Sequence, residues 1–168
     1  MKKNRRRPKP LALPLRPPFT RDEWRALKVS DIATSRAFHA YYERCVAEVF
    51  QSPRRDTYVA ILVSVTHAGR LTEFAPESFG RFLEEAGNQR LTVRKLEATL
   101  EAIVDGVTDC KLSPFERMEF LTVAGGFAEH TAELIGTSDH LDELIGATTT
   151  LALMSLVLAV NAEFGLTA

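Results

Sequence analysis

Histidine and glutamate recur three residues apart at two places late in the chain, where His130 precedes Glu133 and His140 precedes Glu143. Residues three apart share one face of a helix, so two such faces could converge on a metal ion. Carboxylate-bridged bundles use the reverse order, Glu-x-x-His, and histidines near charged turns are usually solvated. Both points weigh against a metal site. A metal-binding bundle is therefore kept only as the second alternative function, and no cofactor is predicted.

The twelve residues from Asp105 to Glu116 resemble an EF-hand calcium loop over this segment only. Four side chains stand at calcium-ligand positions of such a loop: Asp105, Asp109, Ser113 and Glu116. Val107 replaces an oxygen ligand, and Cys110 replaces the glycine that the sharp turn needs. Ser113, Pro114 and Glu116 are also a capping box with proline at the first helical position. Ordinary turn chemistry is the favoured interpretation.

Patterns for covalent catalysis are missing from the sequence. It contains no Gly-x-Ser-x-Gly and no phosphate-cradling glycine loop. The two cysteines, Cys45 and Cys110, lie far apart and outside any metal-type spacing. They imply no disulfide framework, so a reducing compartment is expected and the protein is predicted to be cytoplasmic. A non-enzymatic protein is the favoured class.

The first nineteen residues are basic and rich in proline. They contain no acid and seven basic residues, which are Lys2, Lys3, Arg5, Arg6, Arg7, Lys9 and Arg16. Since the whole chain carries −1, the remainder carries −8. Five prolines remove backbone donors and favour extended geometry, which predicts an extended or disordered arm over residues 1–19. The apolar segment Leu11–Leu15 is too short and proline-broken for a signal peptide.

A basic arm of this kind can bind nucleic acid, because neutralising phosphates releases counterions. Six residues would make the contact: Lys2, Lys3, Arg5, Arg6, Arg7 and Lys9. Phosphate contacts give affinity without sequence choice. The plainer interpretations are a solubilising tail, or a strap that lays Leu11, Leu13 and Leu15 onto the body.

The last predicted helix has no charged residue between Glu143 and Glu163. Its apolar run, centred on residues 151–160, is almost long enough to cross a bilayer, so a membrane anchor is the first alternative function. The threonines at 148–150 and Asn161 weaken insertion, and a buried helix of a soluble bundle needs the same composition. If the chain's own helices leave this face bare, a partner or a lipid would bind there.

Residues 79–103 fit a helix-turn-helix only in part. A first helix would end at Gly87, and after a short turn the second would present basic residues such as Arg94 to a groove. Glu97 and Glu101 would place negative charge on this second helix, close to the phosphates of the nucleic acid, and the repulsion would oppose binding. Two ordinary packed helices explain this stretch better.

Helical spacing and helix-start signals run through the rest of the chain. Thr20 with Glu23 forms a second capping box, and Ser30-Asp31 is expected to start one long helix that ends near Phe50. The segment Tyr58–Thr66 alternates as a strand would. The sequence offers no second strand that could pair with the backbone N–H and C=O groups of this segment, so we predict a buried helix.

The predicted fold is an all-α, single-domain bundle of about six or seven helices over residues 20–168, preceded by the arm of residues 1–19. Its centre is the helix pair from Leu91 to Phe127, because residues 120–127 have no charged side. The leading functional hypothesis is a non-enzymatic binding or assembly protein. Its acidic body would dock a protein partner or a second copy, while the arm contacts nucleic acid.

Overall fold

Helices form all of the regular structure in the computed structural model, which describes residues 15–66, 92–109 and 111–166. These ranges contain α1 (Arg21–Ala26), α2 (Val29–Thr34), α3 (Arg36–Gln51), α4 (Arg54–Thr66), α5 (Val93–Gly106), α6 (Pro114–Ile135) and α7 (Asp139–Glu163). The predicted all-α bundle of six or seven helices is confirmed. Residues 1–14 of the predicted arm and residues 79–91 of the helix-turn-helix pattern lie outside the described residues.

Both predicted capping boxes are formed. The Thr20 hydroxyl accepts a bond from the Glu23 backbone N–H, and the Glu23 carboxylate accepts one from the Thr20 N–H at 2.7 Å. Ser113 and Glu116 repeat this arrangement at the start of α6, where the returning bond is 2.9 Å long. These bonds stabilise the charged carboxylate, so the pKa of Glu116 lies below its ordinary value. The segment that resembles a calcium loop uses its serine and last glutamate to start a helix.

The segment Tyr58–Thr66 is helical, as predicted, and belongs to α4. Val59, Leu62 and Val63 are buried, whereas Ile61 and Val65 are exposed. This pattern follows the period of a helix rather than that of a strand. The buried Thr66 hydroxyl donates to the Leu62 carbonyl at 2.6 Å and is thereby satisfied.

The stretch expected to form one helix from Ser30 onward is divided into α2 and α3. Ser35 stands between them in an extended conformation, and its hydroxyl accepts a bond from the Phe38 N–H at 3.3 Å. The interruption leaves backbone N–H groups at the start of α3 without helical partners. The Ser35 side chain accepts a hydrogen bond from one of them, the Phe38 N–H, and so favours a new helix start there.

The long helix α6 lies at the centre and packs against α3, α4, α5 and α7. Met118, Leu121 and Ala124 on it are fully buried, which confirms its predicted central place. A Cβ atom at Gly126 would stand 3.1 Å from the ring of Phe50. A larger residue there would therefore require the partly exposed Phe50 ring to shift by a few tenths of an ångström.

Helix α7 returns along α6 after a short turn and also packs against α5. The turn begins at Gly136, whose φ of +97° is a conformation that favours glycine. Ser138 then caps α7 by accepting a bond from the Leu141 N–H at 3.1 Å, and its own hydroxyl donates to Glu97 on α5. The chain thus breaks between α6 and α7 at this turn, and the turn is tied to α5.

Candidate functional site

The two sides of α7 have different surroundings. Its buried residues are Leu141, Leu144, Thr148, Ala152, Ser155, Leu156, Ala159 and Val160. On the other side, Met154 is 58% exposed and Leu158 is 40% exposed. Within the described residues, α7 is the one helix long and apolar enough to cross a membrane, and 39% of its most apolar window is buried. Among residues 15–66, 92–109 and 111–166, the helices therefore cover only part of this apolar helix.

The less buried residues of α7 lie along one face of the helix, and we call this face the α7 stripe. Because a helix has about 3.6 residues per turn, positions seven or eleven apart face the same way. The stripe consists of Glu143, Ala147, Thr150, Met154, Leu158 and Asn161. It has no charged residue after Glu143, which leaves about 21 Å of uncharged surface from Ala147 to Asn161 at about 1.5 Å per residue.

The hydroxyl groups of Thr150 on the stripe and Thr149 beside it are satisfied within the helix itself. Thr149 donates to the carbonyl of Ile145 at 3.1 Å, and Thr150 donates to that of Gly146 at 3.0 Å. A hydroxyl that is already bonded loses little when water leaves it. The stripe can therefore be covered by an apolar surface without leaving these donors unpaired.

Helix α1 is fixed at the carboxyl end of the stripe. The indole N–H of Trp24 donates to Asn161 Oδ1 at 2.7 Å. Trp24 is only 3% exposed, and its ring lies 5.4 Å from that of Phe19 and 5.9 Å from that of Phe38. These contacts hold the amino-terminal part of the chain against the end of α7.

The first described residue, Leu15, is bonded to α3. Leu15 packs against the core, and its carbonyl accepts a bond from the buried Tyr41 hydroxyl at 3.0 Å. Burial is the main cause that raises the pKa of Tyr41 above its ordinary value, and the charge of Glu163 adds to it. The six arm residues Lys2, Lys3, Arg5, Arg6, Arg7 and Lys9 lie outside the described residues.

The predicted metal residues lie near the turn between α6 and α7. His130 Nδ1 stands 3.5 Å from Glu133 Oε2, and both side chains are largely exposed. His140 and Glu143 are exposed in the first turns of α7. In the part of the chain that the structure describes, no three His, Cys, Asp or Glu side chains are grouped as a metal ion would need.

An ion pair that the sequence did not predict joins the partly exposed Arg54 of α4 to a buried carboxylate on α6. Glu119 is 6% exposed, and its carboxylate accepts a bond from Arg54 Nη1 at 3.0 Å. Tyr58 and Glu116 complete the cluster, with Glu116 Oε1 3.4 Å from Arg54 Nη2. No sequence signal pairs these residues, because Arg54 and Glu119 are 65 positions apart.

A cleft of about 360 Å³ opens beside this pair, and its lining consists of Glu48, Val49, Gln51, Ser52, Phe115 and Glu119. Burial raises the pKa of Glu119 more than the neighbouring Arg54 lowers it. The Glu119 carboxylate is already engaged by Arg54 and Tyr58. The cluster is therefore explained as a structural link between α4 and α6.

Removing Arg54 from this pair will destabilise the protein more than removing the neighbouring Arg55. We expect Arg54→Met to cost about 2 kcal/mol at pH 7, because it leaves a buried carboxylate unpaired. Arg54 is 39% exposed, so water screens part of the effect. The matched control Arg55→Met loses one bond to the Phe50 carbonyl and should cost about 1 kcal/mol. Urea unfolding measures both variants.

The raised pKa of Glu119 sets the pH dependence of this link. A carboxyl whose folded pKa exceeds the ordinary 4.5 stabilises the folded state below pH 4.5 and loses that contribution as the pH rises. Relative to Glu119→Gln, the wild-type protein should therefore gain stability as the pH falls from 7 to 4. The loss caused by Arg54→Met should shrink over the same range. Losses that are independent of pH would contradict this explanation.

Comparison of the chain with known protein families, with curated proteins and with solved structures finds no match. A helical bundle by itself carries no function, because the architecture hosts many unrelated activities. The candidate site must therefore be chosen from the residues. Met154, on the α7 stripe, is the most exposed large hydrophobic residue that the structure describes. The stripe is the surface that best fits a binding role.

Proposed function

We propose that this protein is a non-enzymatic binding and assembly protein. Its acidic helical body docks a second copy of the chain through the α7 stripe, and its basic arm contacts nucleic acid without sequence choice. The observation that carries the proposal is that the stripe combines exposed Met154 and Leu158 with the absence of charge after Glu143. Covering such a surface is favourable by about 25 cal/mol for each Å² of apolar area.

A second copy is the occupant that suits this surface. A partner for the stripe must itself be uncharged over about 21 Å, at about 1.5 Å per helical residue. The stripe of another molecule meets that requirement and has the same length. Antiparallel pairing of two identical helices produces a closed two-fold dimer, the commonest symmetry of soluble oligomers.

The charge of the arm supports its proposed contact with nucleic acid. Seven basic residues and no acid precede Thr20, whereas the remainder of the chain carries −8. A polyanion would be attracted to the arm and repelled by the body. The contact would therefore be confined to the arm and strongly dependent on salt.

Membrane association is a second candidate, because α7 is long and apolar enough to cross a bilayer. The buried side of α7 carries Thr148 and Ser155 and packs against α6. Insertion of α7 across a bilayer would therefore separate α7 from α6. Binding along the stripe would instead bring Asp139 and Glu143 towards the headgroups. Anionic lipids would repel these acids. Flotation with neutral and anionic vesicles tests this candidate. Membrane association requires the full chain to float with the vesicles.

Charge placed on the stripe will abolish self-association. We expect Met154→Glu and Leu158→Glu to weaken dimerisation at least about a hundredfold, because pairing would bury an unpaired carboxylate. The matched control Leu134→Glu changes an exposed leucine on α6 and should leave dimerisation unchanged.

Sedimentation velocity of the full chain at 0.5 M NaCl measures this effect, since high salt screens contacts between charges and leaves apolar contacts intact. A wild-type protein that stays monomeric at high concentration would refute self-docking. Equal weakening by Leu134→Glu would place the interface elsewhere.

A further inference from the structure

We infer that the protein binds a small apolar carboxylate in a second cleft, which lies where α3, α4 and α6 meet and which we call the Phe50 cleft. This ligand site goes beyond the proposed assembly function and does not involve the α7 stripe. The Phe50 cleft has a volume of about 430 Å³. Clefts that bind small molecules typically measure about 300–1,000 Å³, so the space suits a small ligand.

The wall of the Phe50 cleft is mostly apolar. Val59 of α4 lines it together with Val123 and Phe127 of α6, and all three are buried. Val123 and Phe127 are four residues apart, so they lie on one face of α6. The ring of Phe50, near the end of α3, is 40% exposed beside them. A ligand with an apolar body would remove this ring from water, which is favourable.

Gly126 of α6 leaves part of the cleft free. A Cβ atom at this position would stand 3.1 Å from Phe50 Cζ, so a larger side chain would have to displace the ring. Glycine inside a helix is less stable than alanine. A residue that disfavours the helix is thus found where a side chain would narrow the cleft.

The polar side chains on the lining are Arg55 and His130, and none of the seven lining residues is acidic. Arg55 lies one turn before Val59 on the same face of α4, so its charge stands beside the apolar wall. Its Nη1 donates to the Phe50 carbonyl at 3.1 Å. Arg55 is in no ion pair with another described residue, whereas His130 already faces Glu133 at 3.5 Å. Arg55 is therefore the cation that a ligand can pair with.

A carboxylate is the head group that suits this cation. A guanidinium has five N–H donors and can bind a carboxylate through two parallel hydrogen bonds. An uncharged ligand in the cleft would take water from these donors without replacing its hydrogen bonds, which is unfavourable. One guanidinium balances a single negative charge, so a carboxylate fits better than a phosphate monoester of about −1.5 to −2.

Titration of the full chain with octanoate tests the inference, and octanamide is the uncharged probe with the same apolar chain. Nuclear magnetic resonance of the ¹⁵N-labelled protein measures both affinities and locates the site through the backbone amide of Gly126. A buffer with about 0.15 M NaCl screens the acids elsewhere on the body. We expect octanoate to bind with a Kd of about 1 mM, as befits a ligand of few atoms. Octanamide should bind about tenfold more weakly, because it lacks the charge that pairs with Arg55.

Two variants separate the charge from the space. Arg55→Met should lower the affinity for octanoate to that for octanamide and leave the affinity for octanamide unchanged. Its control is Arg25→Met, which changes an exposed arginine of α1. Gly126→Leu should weaken both probes at least about tenfold, because it fills the cleft. Its control is Gly146→Leu on α7, where a Cβ atom would meet nothing within 4 Å. Both controls should bind like the wild type.

Equal affinities of the wild type for the two probes would overturn the inference. So would the absence of octanoate binding up to about 10 mM, or chemical-shift changes that leave out the lining residues. Octanoate binding that Arg55→Met leaves unchanged would contradict the role of the guanidinium. The comparison of the two probes uses the wild-type protein, so the test stands even where circular dichroism shows that a variant has lost its helices.

Discussion

Removing Met1–Pro10 will abolish binding to double-stranded DNA while leaving the helix content unchanged. The deletion removes the six basic residues of the proposed contact. If each neutralises one phosphate, the affinity of the full chain falls about 10³-fold between 50 and 200 mM salt. The deleted protein should show almost no affinity and almost no salt dependence, because its remaining net charge is negative.

Fluorescence anisotropy with a labelled duplex over a series of salt concentrations measures both quantities. A matched control is the double variant Arg94→Ala and Lys95→Ala, which removes two exposed basic residues of α5. It should bind like the wild type, whereas a helix-turn-helix contact would be weakened by it. Equal retention of the full and deleted chains on heparin at low salt would rule out the proposed role of the arm.

Leu156→Ala will destabilise the protein far more than Leu158→Ala, although the two residues are of one type and lie two positions apart on α7. Leu156 is fully buried, so its truncation leaves a cavity and should cost about 3 kcal/mol. Leu158 is 40% exposed and should cost about 1 kcal/mol or less. The larger loss corresponds to more than about a hundredfold in the folding equilibrium.

Urea unfolding of the full chain in dilute solution measures both values, with an unchanged m-value as the sign that stability alone has changed. Low concentration keeps the protein monomeric, so that any dimer contact of Leu158 does not contribute. Equal losses for the two variants would mean that the described division of α7 into a covered and an uncovered side is wrong.

Local signals predicted most of the secondary structure. Ser113 with Glu116 and Thr20 with Glu23 start helices because their bonds span only three residues and form before any tertiary contact is needed. The helix at Tyr58–Thr66 was inferred from the lack of a pairing strand. The extra start at Ser35 was missed, because Ser30-Asp31 offered an equally plausible cap a few residues earlier.

Local sequence patterns were enough to predict the class of the fold, the position of the central helix α6 and the contrast between a basic arm and an acidic body. Those features depend on periodicity, capping and charge, which are properties of neighbouring residues. Three other features follow from helix packing alone: Met154 is exposed while Leu156 is buried, Arg54 pairs with Glu119, and Trp24 of α1 bonds to Asn161 of α7. Each of these depends on which helices lie side by side, and helix packing brings together residues that no local pattern connects.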